Sequence, residues 1–103
     1  MKLPGNMQAM MAQAQKMQQR LQEDIAAIRV DASAGGGMVT VEANGQGTVR
    51  SIKIDPSVVN PADVEMLEDL LLVAVSEVQK KAQEAAQAEM GKLTGGLPFK
   101  LPF

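Results

Sequence analysis

The chain of 103 residues contains no cysteine, histidine, tyrosine or tryptophan, and its two phenylalanines both fall among the last five residues. The absence of cysteine excludes a disulfide framework and thiolate metal ligands, which favours a cytoplasmic protein. The missing histidine, cysteine and tyrosine remove the commonest general bases and activated nucleophiles. Catalysis then rests on Ser, Thr, Lys and carboxylates alone, so we expect no enzyme and no catalytic residue.

Long hydrophobic runs are missing as well. No stretch approaches the roughly 18 uninterrupted apolar residues that a membrane span requires, so no membrane association is expected. With so few aromatic side chains, the core must be built from Leu, Val, Ile, Met and Ala, which supply less buried area than aromatic residues do. We expect one domain over residues 1–103, with a core that two copies of the chain share.

Apolar residues recur every three or four positions over residues 6–28, which predicts a helix about 35 Å long. Its stripe includes Met7, Met10, Met17 and Leu21. A helix of this length is too long for so small a globule to enclose. The stripe is therefore expected to pack against another helix.

Residues 29–54 predict a small three-stranded antiparallel sheet. The glycines at 35–37 fit a tight turn better than a phosphate loop, since they lack the GxxxxGK[ST] pattern and precede a strand. Asn44-Gly45 predicts a hairpin closed by a type I′ turn, in which both central residues have positive φ. The phase of Val49 relative to the strand residues after it suggests either a bulge near Gly47 or partial burial of both faces of this strand.

A second helix is predicted over residues 61–92, with Asn60 as its N-cap and Pro61 at its first position. Residues 70–75 are apolar on every side, whereas a surface helix should show one apolar stripe. A second copy of the chain is expected to cover what one small sheet cannot. The prolines of residues 95–103 predict a flexible tail. The candidate core and dimer-interface residues are Leu67, Leu70, Leu71, Ala74, Val75 and Val78.

The order and spacing of these features resemble the YbaB/EbfC family of bacterial nucleoid-associated proteins. The resemblance rests on the Met/Gln-rich first helix, GGGMVTVEANG, SIKIDP, EMLEDLLLVAV and the Gly-rich exit ending in LPF. It implies an α+β fold, with an α-β-α protomer that forms a tweezer-like homodimer. It further implies a protein of the cytoplasm and nucleoid that binds double-stranded DNA with weak or no sequence specificity and influences gene expression. The resemblance likewise implies no enzyme activity and no cofactor, and we expect no metal site or small-molecule substrate.

The net charge of −2 looks unsuited to DNA, but the distribution of charge matters more than the sum. Residues 61–78 contain five acids and no base, whereas residues 1–30 and 79–103 each carry a net charge of +2. An acidic centre with mildly basic arms is compatible with DNA lying along those arms. The candidate DNA-binding residues are Lys16, Arg20, Lys80, Lys81 and Lys92.

Two other interpretations stay open at this point. Arg20 with Asp24, and Lys80 with Glu84, are spaced as ordinary exposed ion pairs on a helix. The arms could also grip another protein, which would make the chain an interaction adaptor linked to DNA repair or recombination, with incidental DNA contact. A metal held by the acids of the second helix is discounted, because complementation of the helix dipole explains them.

Overall fold

The computed structural model describes residues 5–94 and confirms the predicted α+β fold: two long helices and a three-stranded antiparallel sheet. The flexible tail predicted over 95–103 lies outside the described residues. Neither helix of the described part is long and apolar enough to cross a membrane. The elements are α1 Gly5–Ala27, β1 Arg29–Ala34, β2 Val39–Asn44, β3 Val49–Ile54, a 3₁₀ turn Pro56–Val58, and α2 Val64–Thr94.

The hairpin between β2 and β3 exists, but the predicted type I′ turn is wrong. Positive φ falls on Gly47, at 84°, and on neither Asn44 nor Gly45. The buried Asn44 side chain explains this, because its Oδ1 accepts hydrogen bonds from the backbone N–H groups of Gln46 and Thr48, each at 3.0 Å. The result is a four-residue turn closed by a left-handed glycine, which matches the twist of the two strands.

Gly45 is needed for close approach to α1. Its N–H donates to the carbonyl oxygen of Ile25 at 3.1 Å, and a Cβ added at this position would lie 2.5 Å from that oxygen. The hairpin loop therefore rests directly on the last turn of α1. This contact joins the first helix to the sheet.

A bulge is present in β3, but it lies at Arg50 and not near Gly47. Glu42 lies opposite Ser51 while Ala43 lies opposite Val49, so Arg50 is the extra residue of the strand. The bulge turns Val49 to the same face of the sheet as Ile52. The out-of-phase apolar residue of the sequence is thereby explained.

The second helix begins later than predicted, and its N-cap is Asp63 rather than Asn60. The Asn60 side chain instead accepts a hydrogen bond from the N–H of Ala62 at 3.0 Å, which forms a separate turn. The Asp63 carboxylate then accepts from the N–H of Met66 at 3.3 Å. Both residues are good caps, and the turn at Asn60 leaves the first orphan N–H groups of α2 to Asp63.

The core lies between α2 and one face of the sheet. Val39 and Val41 of β2 are fully buried, as are Ala74 and Val78 of α2. Because β2 is the central strand, its inward residues are covered by α2 and flanked by both neighbours. The four other candidates of the second helix are half-buried and pack against this cluster: Leu67, Leu70, Leu71 and Val75.

The direction of α1 follows from how β1 lies against α2. Gly35, just after β1, touches Leu70, and the Lys81 ammonium donates to the carbonyl oxygen of Asp31 at 2.9 Å. Strand β1 therefore runs antiparallel to α2, and the end of α1, which precedes β1, lies beside the second half of α2. At about 33 Å, α1 is too long to lie across a molecule measuring 70 × 25 × 19 Å.

Residues 6–20 of α1 are exposed throughout, so they do not fold back over the sheet. They project past the C-terminal end of α2, and we call this segment the arm. The sheet and α2 form the body. The arm explains why the radius of gyration is 20.2 Å, whereas a compact domain of this size would have about 13 Å.

Candidate nucleic-acid interface

The arm carries two different faces. Lys16 and Arg20 lie one helical turn apart on a polar face that also holds Gln19. Met10 and Met17 lie on a separate face, in line with Leu21, which is half-buried where α1 reaches the body. Lys16 lies about 100° around the helix from Met17, but Arg20 lies about 60° from it and lines one pocket with Met17 and Leu21, so the basic face borders the apolar stripe.

Lys16 and Arg20 have free cationic groups. Within residues 5–94, the ion pairs shorter than 4.0 Å are Arg29–Glu42 at 3.8 Å and Lys92–Glu89 at 3.3 Å. The Arg20–Asp24 pair that the spacing allows is not formed among the described residues, although both side chains line the same pockets. Screening makes such an exposed pair worth little, so nothing holds the two side chains together.

The candidates on α2 are not equivalent to one another. Lys80 is exposed and does not form the pair with Glu84 that its spacing allows. The Lys81 ammonium donates a hydrogen bond to the backbone carbonyl of Asp31, which lies on the edge strand β1. Lys92 pairs with Glu89. Among the described residues, the structure thus brings Lys81 against the sheet and leaves Lys80 as the cation of α2 with no bonded partner.

Arg29 holds the junction between α1 and the sheet. Its Nη1 donates to the carbonyl oxygens of Ala26 and Ile28, each at 3.1 Å, and its Nε lies 3.8 Å from Glu42. A cation at this position satisfies carbonyl groups that the end of α1 leaves open, and it complements the helix dipole. Its role is structural.

Two exposed cations, Arg50 and Lys53, were not among the DNA-binding candidates predicted from the sequence. Both lie on β3, and Lys53 faces Thr40 on the side of the sheet that α2 does not cover. The period-two alternation of β3 is the signal that places Lys53 in water. This outer face also carries Asp31 opposite Glu42, so its charge is mixed, unlike the Lys16 and Arg20 face of the arm.

An apolar surface remains open beside β3. Ile52 and Ile54 pair with the buried Val41 and Val39, yet they are 47% and 38% exposed, because α2 covers only β1 and β2. Leu72 is 66% exposed and lies nine residues before Lys81, which is half a turn around the helix. Since Lys81 reaches β1, Leu72 faces the β3 side.

Ile52, Ile54 and Leu72 are thus exposed apolar residues on the same side of the body, and we call this set the β3 apolar surface. The body of a single chain leaves it uncovered. Exposed large apolar groups that lie side by side usually mark an interaction site.

The match to known proteins extends over almost all of the sequence. A model of the YbaB/EbfC DNA-binding family matches residues 2–97. The chain belongs to the YbaB/EbfC family.

Relatives within the family are close in sequence. The chain is 52% identical to a protein of Gemmatimonas aurantiaca named nucleoid-associated protein, over 91% of this chain and 95% of the relative. It is 56% identical to a nucleoid-associated protein of Thermodesulfovibrio yellowstonii, over 89% of this chain and 82% of that protein. The resemblance drawn from the sequence is thus confirmed.

A solved structure supports the same fold. The crystal structure of an uncharacterized protein from Helicobacter pylori superposes with a TM-score of 0.73, covering 89% of this chain and 98% of that one. At 22% identity, this neighbour speaks for the fold alone.

Proposed function

We propose that this YbaB/EbfC protein is a homodimer of the bacterial cytoplasm that binds double-stranded DNA with weak or no sequence specificity. It organises the nucleoid and influences gene expression by occupying DNA. The observation that carries the proposal is the free Lys16 and Arg20 pair on a projecting arm, in a chain whose relatives are named nucleoid-associated proteins. No enzymatic activity is part of the proposal.

Sequence-independent binding follows from the kind of groups that the arm offers. Long cationic side chains, accompanied by the amide of Gln19, suit phosphate oxygens, which carry no sequence information. The described residues include no aromatic side chain on which an unpaired base could stack, so duplex is the expected ligand. A contact of few phosphates should be weak and should fade as salt rises.

Dimerisation is proposed from the β3 apolar surface. Ile52 and Ile54 continue the buried inner face of the sheet into solvent, beside Leu72 of α2. A second copy brings the same three side chains, so a twofold arrangement covers both surfaces at once. Two arms per dimer would also double the number of phosphates contacted, which a single arm with two free cations needs.

A mobility-shift titration with a short duplex of arbitrary sequence, at about 20 and about 200 mM salt, tests the DNA proposal. We expect a shift at micromolar protein in low salt, little difference between unrelated duplexes, and a strong loss of affinity at the higher salt. Absence of any shift at low salt would refute DNA binding. Retained cellular function in a variant that no longer shifts DNA would favour the adaptor.

A further inference from the structure

The apolar stripe of the arm is a second uncovered surface, separate from the β3 apolar surface. Met7, Met10, Met11 and Met17 are between 46% and 66% exposed. They lie in line with Leu21 and Ile25, which are half-buried where α1 meets the body. The stripe therefore continues a packed seam outward into solvent, beside the face that carries Lys16 and Arg20.

We propose that the stripe is covered by the chain's own C-terminal segment, residues 97–103, which reads LPFKLPF. This segment holds both aromatic residues of the protein, Phe99 and Phe103, each preceded by Leu-Pro. Met side chains are adaptable, and their sulfur atoms make favourable contacts with aromatic rings. The segment and the stripe are therefore matched in chemistry.

The end of α2 lies close enough to the stripe for this segment to reach it. The arm projects past the C-terminal end of α2, because the end of α1 lies beside the second half of that helix. The segment departs after Thr94, where α2 ends, and nine further residues can span at most about 30 Å. From Leu21 to Met7 the stripe is about 21 Å long, which lies within that reach.

The repeat in the segment also matches the spacing of the stripe. Phe99 and Phe103 are four residues apart, which is about 12 Å in the extended polyproline conformation that Leu-Pro steps favour. Met17 and Met10 are seven residues apart, about 10.5 Å along α1. Phe99 at Met17 and Phe103 near Met10 satisfy both spacings at once, with the segment running outward along the arm.

The occupied stripe leaves Lys16 free and borders Arg20. Lys16 lies about 100° around α1 from Met17, whereas Arg20 lies about 60° from Met17 and lines one pocket with Met17 and Leu21. The inference thus goes beyond the proposed function and stands whether or not the arm binds DNA.

The chain offers a clean test, because Phe99 and Phe103 are its only sources of aromatic ring currents. We would record the carbon-13 methyl spectrum of the methionines, assigned by single Met→Leu variants, in the full chain and in the F99L/F103L variant. The expected result is an upfield displacement of the Met10 and Met17 methyl signals that disappears in the variant. Met38 and Met66, on the body, serve as internal controls and should not move.

Single variants sharpen the assignment. F99L should release mainly the Met17 signal, and F103L mainly the Met10 signal. If neither signal differs between the full chain and F99L/F103L, the segment does not lie on the stripe and the proposal is overturned. Changes confined to Met38 or Met66 would overturn it equally.

A mixing experiment separates the chain's own segment from that of a second copy. Labelled F99L/F103L protein is unfolded and refolded with an excess of unlabelled full chain. Signals that stay at their variant positions support docking within one chain. A return of the upfield positions would show that the segment of another copy covers the stripe, which contradicts the proposal as stated.

Discussion

The body and the arm use the same kind of apolar side chain in opposite states of burial. In the body, Val41 and Val78 are fully buried because the sheet and α2 give each other a partner. In the arm, Met10 is 66% exposed, although its spacing along the helix is just as regular. A regular apolar stripe therefore indicates that a helix packs against something, but the sequence alone does not tell which element or molecule that is.

The cationic side chains of the two regions also differ in whether they have a bonded partner. Lys81 and Arg29, at the body, bind backbone carbonyl groups and hold elements together. Lys16 and Arg20, on the arm, bind no group of the described residues. Some cations of the body thus stabilise its own structure, whereas both cations of the arm are open to solvent.

The largest effect is expected from a charge placed in the body core. Val41→Asp should abolish folding, because an unpaired buried carboxylate costs more than about 4 kcal/mol, a large share of a small domain's stability. Thr40→Asp is the matched control, since it faces the other side of the sheet opposite Lys53. Thermal melts followed by circular dichroism should show a cooperative transition for the control alone, and a folded Val41→Asp protein would contradict the assigned core.

Breaking the β3 apolar surface should leave folding intact but separate the two copies. Leu72→Lys or Ile52→Lys should weaken self-association on the order of 100-fold, as loss of an apolar hot spot does. Val73→Lys is the control, because Val73 is exposed on a different flank of α2. Sedimentation velocity measures the outcome, and equal weakening by Val73→Lys would place the interface elsewhere.

The joint between arm and body should depend on Gly45. Gly45→Ala should destabilise the protein by about 2 kcal/mol, because the new Cβ collides with the Ile25 carbonyl. Gln46→Ala, one residue on and exposed, should be nearly neutral. Urea titrations give the free energies of unfolding, and faster amide exchange in the last turn of α1 would locate the damage.

Removing the arm's cations should weaken DNA binding about tenfold and reduce the slope of log K against log salt by about 0.9 for each phosphate that the protein no longer neutralises. Lys16→Gln with Arg20→Gln is the test variant. Lys80→Gln with Lys81→Gln removes the same charge, but one of its two ammonium groups already binds Asp31. Fluorescence anisotropy over a salt series should show the larger change in slope for the arm variant, and the reverse order would move the DNA site to α2.

The smallest effect concerns Asp55, at the end of the sheet. Hydrogen bonds from the backbone N–H and the hydroxyl of Ser57 lower the pKa of Asp55 below its usual value. Its contribution is therefore present above the unfolded pKa, about 3.9, and is lost as pH falls through the lower folded pKa. Urea midpoints of Asp55→Asn and the unchanged chain should differ most above about pH 5 and should converge in acid, whereas a pH-independent difference would contradict this assignment.

The sequence predicted the parts of the fold that local pattern decides. The order of helices and strands, the turn at glycines 35–37 and the bulge in β3 follow from periodicity and from residues with special backbone freedom. The type I′ turn was wrong because two tertiary demands override local preference. The Asn44 side chain accepts hydrogen bonds from the loop backbone, and the lack of a side chain at Gly45 allows the close approach of the Ile25 carbonyl.

The candidate site was predictable only in part. The distribution of charge along the chain predicted Lys16 and Arg20 as candidates, but their spacing also allowed an Arg20–Asp24 pair, which the structure does not form. Nothing in the spacing of Lys80 and Lys81 tells which of them reaches Asp31, because that contact depends on how β1 lies against α2. Contacts between elements distant in sequence carry this information.

Sedimentation equilibrium of the protein with a short fluorescent duplex at low salt tests the proposed pairing of body and DNA-binding arm most directly. If two bodies join and both arms hold one duplex, the complex gains twice 10.9 kDa over free DNA at the lowest protein concentrations that bind. A complex that gains 10.9 kDa, with one chain on the duplex, would contradict the account.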